Sequence, residues 1–427
     1  MEPDRSVADE LCTFIDRSPS PFHAVETASQ RLAAAGFVEQ PLDETFGGEG
    51  PRMVILDGSL IAWRQPDRPP RAFRIIGAHT DSPNLRIKPN PDHTSAHFRQ
   101  LGVEVYGGAL VNSWLDRDLG LSGRVVHRGT DGPAVSLFRI DDPILRVPQL
   151  AIHLDREIND KGLQLNHQSH LAPIWDLDTE RGTDRTFRDT IAAAAGCGPD
   201  QILSWDVMVH DLTPSRRTGR GGVFVSAPRL DNLCSAFAAI DALTATEDEP
   251  GDVVPVVCLY DHEEVGSTSA TGADSHLLVT VLERIASAAD GTRDDLLRAL
   301  STSVCLSADM AHATHPNYVD RHEPNHYVAL NEGPAVKVNA NQRYASDARS
   351  VAVYLQACAD AGVPTQSFVG RTDIPCGSTI GPTTAARLGV STVDVGIAQL
   401  AMHSARELCG ADDPSWYKAS MAAFLAP

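Results

Sequence analysis

Near the start of the chain, Val7, Leu11, Phe14 and Ile15 recur at helical spacing and mark one apolar face, so the first segment reads as a helix. A second helix is predicted from SPSPFHAVETASQRLAAAGF, with Ser20 as its N-cap, Pro21 at its first position and Gly36 near its end. The pattern then turns extended. MVILDGSLIAWR reads as a hairpin with Asp57 and Gly58 at its turn, and RAFRIIGAHTD as a strand that becomes apolar before ending at His79.

From about residue 89 to 227 the texture changes. Short β-like runs such as GVEVYGG, GRVVHRG and AVSLFRI are separated by Gly, Asp and Pro, with a polar stretch around 155 to 190. This predicts an inserted, mainly β domain over 89–227, dividing a larger domain formed by 1–88 and 228–427. In the second part of that domain helical and strand patterns alternate: LDNLCSAFAAIDALTA, DVVPVVCLYD, DSHLLVTVLERIAS, TSVCLSAD, SVAVYLQACADAG and STVDVGI. The fold expected is α/β, a mixed and mostly parallel sheet with helices on both faces.

Composition narrows the function classes. The 427 residues are 42% hydrophobic, enough for more than one packed core. The start, MEPDRSVADE, has neither a basic region nor an apolar one, and no run approaches the roughly 18 apolar residues of a membrane span, so a cytoplasmic protein without a membrane partner is expected. A net charge of −20 argues against nucleic acid. The eight cysteines contain no C-x-x-C pair, and most are expected to be small buried hydrophobes.

Chemistry gathers at strand ends. FRIIGAHTD ends with His79 and Asp81, VVPVVCLYDHEE with Glu263 and Glu264, and SVCLSADMAH with Asp309 and His312; Asp231 and His403 flank further elements. Side chains at the carboxyl ends of neighbouring parallel strands converge on one crevice. Such a set suits two divalent ions, with Zn2+ favoured by the imidazoles and Co2+ or Mn2+ tolerated. His79 and His403 would each serve one ion, Asp231 would bridge, and Glu264 and Asp309 would complete the two sides. Asp81 would accept the second ring N–H of His79, and Glu263, pointing away from Glu264 on an extended backbone, would be general base for a water whose pKa the ions depress. Singly, each motif has a plainer account: H-x-D as a turn, Glu-Glu as a solvated face, Asp231 as a helix cap. Together they would repel one another unless cations were held. The loop DIPCGSTIGPTTAARLG lacks the G-K-[ST] ending of a phosphate loop, and Cys376 has no evident base.

FIDRSPSPFHAVE, GAHTDSPNLRIKP, PRLDNL, DHEEVGS, SADMAHATHPNY, VKVNANQRYASDA, DIPCGSTIGP and LAMHSARE, in this order, resemble the aspartyl aminopeptidase family of dinuclear zinc metallopeptidases. The resemblance runs from about residue 12 to 409. It implies that His79, Asp231, Glu264, Asp309 and His403 are metal ligands, with Asp231 bridging, that Glu263 is the catalytic base and that Asp81 orients His79. It further implies dimerisation through the inserted domain, assembly of dimers into a tetrahedral dodecamer, and entry of His153, in LAIHL, into a neighbouring subunit's active site; without the family His153 reads as an ordinary strand residue. Lys337 resembles the basic residue that meets an acidic N-terminal side chain, with Tyr344 nearby, although Lys337 also fits the exposed side of an edge strand. Eukaryotic members commonly carry a second lysine where this chain has Asn341, so neutral and basic N-terminal residues stay open beside Asp and Glu. The expected activity is removal of the N-terminal residue from short peptides. The alternatives are an amidohydrolase of N-acyl amino acids on a related dinuclear site, and a non-catalytic scaffold of the same fold.

Overall fold

The apolar stripe of the first segment lies in helix Ser6–Arg17, where Val7, Leu11, Phe14 and Ile15 are all buried. Helix Pro21–Ala34 follows, with Ser20 Oγ accepting the His23 N–H and Pro21 at its first position, where no amide donor is needed. The hairpin pairs Gly50–Leu56 with Ser59–Gln65 around Asp57, whose φ is +53°. The computed structural model describes residues 1–48, 50–179, 185–246 and 251–426. Part of the polar stretch, 180–184, thus lies outside the described residues.

The chain divides into two compact units, one comprising Met1–Asp81, Ser215–Met402 and Glu407–Pro427, the other Ser82–Pro214 with His403–Arg406. These boundaries fall earlier than 89 and 227 because pairing, which composition does not report, decides them. Strand Asn84–Ser95 already belongs to the six-stranded sheet of the second unit, whereas Arg216–Thr218 and Phe224–Ala227 pair into a five-stranded sheet of the first through Glu407–Gly410.

The first unit is α/β. Its nine-stranded sheet runs in the order Val38–Glu39, Gly50–Leu56, Ser59–Gln65, Val253–Tyr260, Ala72–His79, Val304–Ala308, Ser391–Gly396, Ala335–Val338 and Gln366–Val369. The central strands Val253–Tyr260, Ala72–His79, Val304–Ala308 and Ser391–Gly396 are mutually parallel, with antiparallel pairs toward either side. Alternate residues feed two cores: Ile76, Ala78, Val257 and Leu259 pack with helices Ser6–Arg17, Leu230–Thr244 and Asp413–Leu425, while Phe73, Ile75, Val256 and Cys258 pack with Leu277–Ala288 and Arg293–Thr302. That is the period-two division expected of a sheet covered on both faces.

The second unit is an antiparallel sheet, in the order Pro133–Leu145, Leu119–Arg128, Ile202–Asp211, Asn84–Ser95, Phe98–Tyr106 and Ile174–Leu177, with its own core including Leu85, Leu101, Leu121, Phe138, Phe187 and Ile191. Among the eight cysteines, all free thiols, Cys12, Cys234, Cys258, Cys305, Cys358 and Cys409 are buried. Among the described residues no helix is long and apolar enough to cross a membrane.

Candidate metal centre

Three neighbouring parallel strands bring their carboxyl ends together. Tyr260 lies opposite His79, and Ser307 opposite Gly77, so the residues just past the three strands emerge side by side. His79 closes the middle strand, Asp309 follows Ala308, and Glu263 and Glu264 lie in the single 3-10 turn Glu263–Val265. Asp231 arrives from the start of helix Leu230–Thr244, where Asp231 and Asn232 keep non-helical dihedrals and are joined by a cis peptide bond. The regular helix therefore starts after Asn232, and Asp231 is not its cap. The Asp231 N–H donates to Glu407 Oε2 at 3.0 Å, and Asn232 Nδ2 donates to the carbonyl of Ala308 at 2.7 Å, which ties this turn to strand Glu407–Gly410 of the five-stranded sheet and to strand Val304–Ala308 of the nine-stranded one.

His79 is the pivot. Its Nδ1 is 3.0 Å from the carbonyl oxygen of Asp81, which can only accept, so Nδ1 carries a proton, and in the neutral ring the lone pair is on Nε2. Nε2 faces Asp231 Oδ1 at 3.4 Å, Asp309 Oδ1 at 3.6 Å and Glu263 Oε2 at 3.9 Å. A lone pair directed at carboxylates is repulsive, and either a second proton on Nε2 or a metal ion between the groups relieves that repulsion. Two ligands on a tetrahedral zinc, each at about 2.0–2.1 Å, are about 3.4 Å apart, so these separations suit a shared ion. The atoms of His79, Asp231 and Asp309, and those of His79, Glu263 and Glu264, lie within 4.8 Å of one another.

The electrostatics agree with the geometry. Burial pushes the His79 imidazole toward neutrality, but Asp231, Asp309 and Asp81 and the charge of Glu263 outweigh it and raise its pKa well above the ordinary histidine value. Burial likewise pushes Glu263 up to about 8, with His79 opposing and Asp309, Asp231 and Asp81 reinforcing. Carboxylates crowded in this way call for a cation, and an imidazole with carboxylates is a donor set that zinc accepts.

Asp81 departs from the sequence expectation. The ring N–H of His79 meets its backbone oxygen, with the nearer carboxylate oxygen at 3.4 Å, while that carboxylate accepts the N–H groups of Glu263 and Glu264 at 3.1 Å each. The strand has ended at His79, so the alternation assumed for residues 79 and 81 no longer applies. The same holds for Glu263 and Glu264, which sit in a helical turn and not on an extended backbone.

Lys337 is a second correction. Strand Ala335–Val338 has neighbours on both sides, so it is not an edge, and Lys337 is 1% exposed. Its ammonium lies 3.2 Å from Asp309 Oδ2 and 3.1 Å from the carbonyl of Met310, with the Tyr344 ring centroid at 5.1 Å. Tyr344 is itself buried. Three further histidines just beyond Asp309 and His312 bond locally: the His315 N–H donates to His322 Nε2, and His326 pairs with Glu323.

Within the second unit, His403 has φ +66° and its Nδ1 meets the carbonyl of Gly108 at 3.1 Å, which again assigns the lone pair to Nε2. His153 lies in an exposed turn and not in a strand, among Leu150, Ile152 and Leu154, which are 57%, 47% and 75% exposed. Sequence reasoning passes over Glu407, Asn232 and Asp394. The signal for Asp394 is present, an acid in the middle of the apolar run STVDVGI, but its partners come from distant segments.

Residues 14–425 match the family described as aminopeptidase I zinc metalloprotease (M18). The chain is 49% identical over 433 residues to the probable M18 family aminopeptidase 2 of Streptomyces coelicolor, covering 99% of this chain and 98% of that protein. To the protein of the same name from Mycobacterium tuberculosis it is 50% identical over 430 residues, covering 99% and 98%. Among solved structures it resembles a chain of the Ape4 and Nbr1 complex, with a TM-score of 0.93 at 36% identity over 100% of this chain and 87% of that one. It also resembles the S. cerevisiae mApe1 dodecamer, with a TM-score of 0.86 at 28% identity over 98% and 96%.

Proposed function

Since the chain belongs to the aminopeptidase I zinc metalloprotease (M18) family and is a metal-dependent aminopeptidase, we propose that it removes the N-terminal residue from short peptides at a centre of two zinc ions held by His79, Asp231, Glu264, Asp309 and His403. Asp231 would be the carboxylate available to both ions, and each histidine would offer Nε2, its Nδ1 being held by a carbonyl oxygen. When bound, the zinc pair supplies Lewis acidity toward the scissile carbonyl and lowers the pKa of water.

The chain's own residues do the rest. Glu263 Oε takes the proton of the attacking water and returns it to the departing amine. Asp81 sets the angle of this base by accepting the N–H of both glutamates. The acidic surroundings favour a free α-ammonium group, which an N-acylated substrate lacks. Lys337 and Tyr344 line the place of the N-terminal side chain, Asp and Glu being the first candidates. His153 acts in trans, stabilising the oxyanion in a neighbouring subunit, and its exposed apolar neighbours support contact with a second copy. The assembly proposed is a dodecamer built from dimers; the S. cerevisiae mApe1 neighbour is itself a dodecamer. Neither nucleic acid nor membrane is a partner.

The observation that carries this reading is His79 Nε2 aimed at three carboxylates. Metal analysis beside an aminoacyl substrate panel, with N-acetylated controls and with chelator, tests it. Turnover of free-amine substrates that chelator stops and acetylation abolishes is expected; preference for the acetylated set would favour the amidohydrolase.

A further inference from the structure

In the large sheet, Gly77, Ser307, Asp394 and Lys337 stand opposite one another in adjacent strands. Asp394 is 0% exposed, and burial pushes its carboxyl up against the pull of Lys337 and of its hydrogen bonds. Ser307 Oγ and Thr379 Oγ1 donate to its Oδ1 at 2.6 and 2.5 Å, and the N–H of Ala345 donates to Oδ2 at 2.6 Å. Its own N–H donates to Ser346 Oγ at 2.9 Å. A Cβ on Gly381 would lie 2.3 Å from Oδ2, so only glycine lets helix Ile380–Leu388 start this close. One carboxylate therefore binds strand Val304–Ala308, the residues just after Tyr344 and the N-cap of a helix. Three donors directed at it favour the ionised, acceptor-only form.

Lys337 faces this carboxylate across the strand pair and touches Asp309 with its ammonium. Its hydrogen bonds go to Asp309 and the carbonyl of Met310, while Asp394 acts on its charge through the electrostatic field. We propose that Asp394 is a specificity-determining positioning residue, which holds the Tyr344 loop and tempers Lys337 so that the enzyme accepts neutral as well as acidic N-terminal side chains. The inference rests on Lys337 and Tyr344 lining the place of that side chain.

The test uses the full-length zinc enzyme with aspartyl and alanyl p-nitroanilides. Asp394→Asn keeps the shape and removes the charge, so the Asp:Ala ratio of kcat/KM rises about tenfold, mostly through KM, with zinc content unchanged. Thr379→Val, a milder change, removes one donor, leaves more of the carboxylate's charge facing Lys337 and lowers the ratio about threefold. The rise in Asp394→Asn disappears when Lys337→Gln is added. Ratios unmoved in both single variants, or a rise that survives Lys337→Gln, overturn the role of Asp394 while leaving the aminopeptidase intact. A wild type that cleaves neither substrate overturns the reading of the site, and this inference with it.

Discussion

Glu263 and Glu264 are chemically identical neighbours to which the proposed mechanism gives different tasks, and substitution separates them. Glu263→Gln keeps the size and the backbone clamp to Asp81 but cannot accept a proton. Zinc content is expected to stay at the wild-type level while kcat falls by about 10²–10⁴, the range for loss of a general base. Glu264→Gln and Asp231→Asn remove a charged ligand, so metal should be lost along with activity. Metal analysis of the dialysed variants beside their turnover checks both. A glutamine variant at position 263 with wild-type kcat would remove this residue from the proton transfer. Much of the site is legible in the sequence at this scale, because His79, Glu263, Glu264 and Asp309 all follow apolar runs that end in ionisable residues. The partners of Asp81 and Lys337 are not legible, because one depends on how the chain turns after a strand and the other on which strands lie alongside.

The clamp between Asp81 and the turn Glu263–Val265 joins two elements distant in sequence, and two acceptor oxygens serve two N–H groups. Asp81→Asn keeps one acceptor and sets an NH2 against the other donor, so the turn should rotate and kcat should fall about 10²-fold, with zinc largely retained. Kinetics beside metal content distinguish this from loss of a ligand. A different element sets a pH limit. Asp413, fully buried at the start of helix Asp413–Leu425, accepts the N–H groups of Asn331 and Gly333, yet burial dominates and pushes its carboxyl up to about 7. The folded chain then holds this proton more tightly than the unfolded chain. Its contribution to stability is complete below the unfolded value of about 3.9 and is lost as pH rises through about 7. Urea midpoints at pH 5 and pH 8 should differ more for the wild type than for Asp413→Asn; equal differences would show that the buried acid does not titrate in this range. Helices and strands themselves are largely legible, since the apolar runs of Ala72–His79 and Val253–Tyr260, as of strands buried on both faces, and the capped helix after Ser20 follow local rules. Domain boundaries are less so: Arg216–Thr218 and Phe224–Ala227 have the composition of the insert and pair with each other, but Phe224–Ala227 finds its second partner nearly two hundred residues later, in Glu407–Gly410.

For the whole molecule the question is whether one chain holds a complete site. His153 sits in an exposed turn flanked by Leu150, Ile152 and Leu154, apolar surface that an isolated subunit has no reason to leave in water. If that turn docks on a second copy, each active site takes Glu263 from one subunit and His153 from another. His153→Ala and Glu263→Gln should then each be nearly inactive alone. In a mixed pair, however, one site receives the intact glutamate of the first variant and the intact histidine of the second. Random reassortment of equal amounts should restore up to about a quarter of wild-type activity, since half the pairs are mixed and one site in two is whole. Refolding or co-expressing the two variants and assaying the mixture against each alone measures this. Sedimentation of the wild type tests the companion expectation of twelve subunits, and Leu154→Glu, which puts a charge on the docking surface, should lower the assembly state and the activity together. Recovery at the level of the two variants averaged would place His153 outside the site, whereas recovery above it requires that the site be built from two chains.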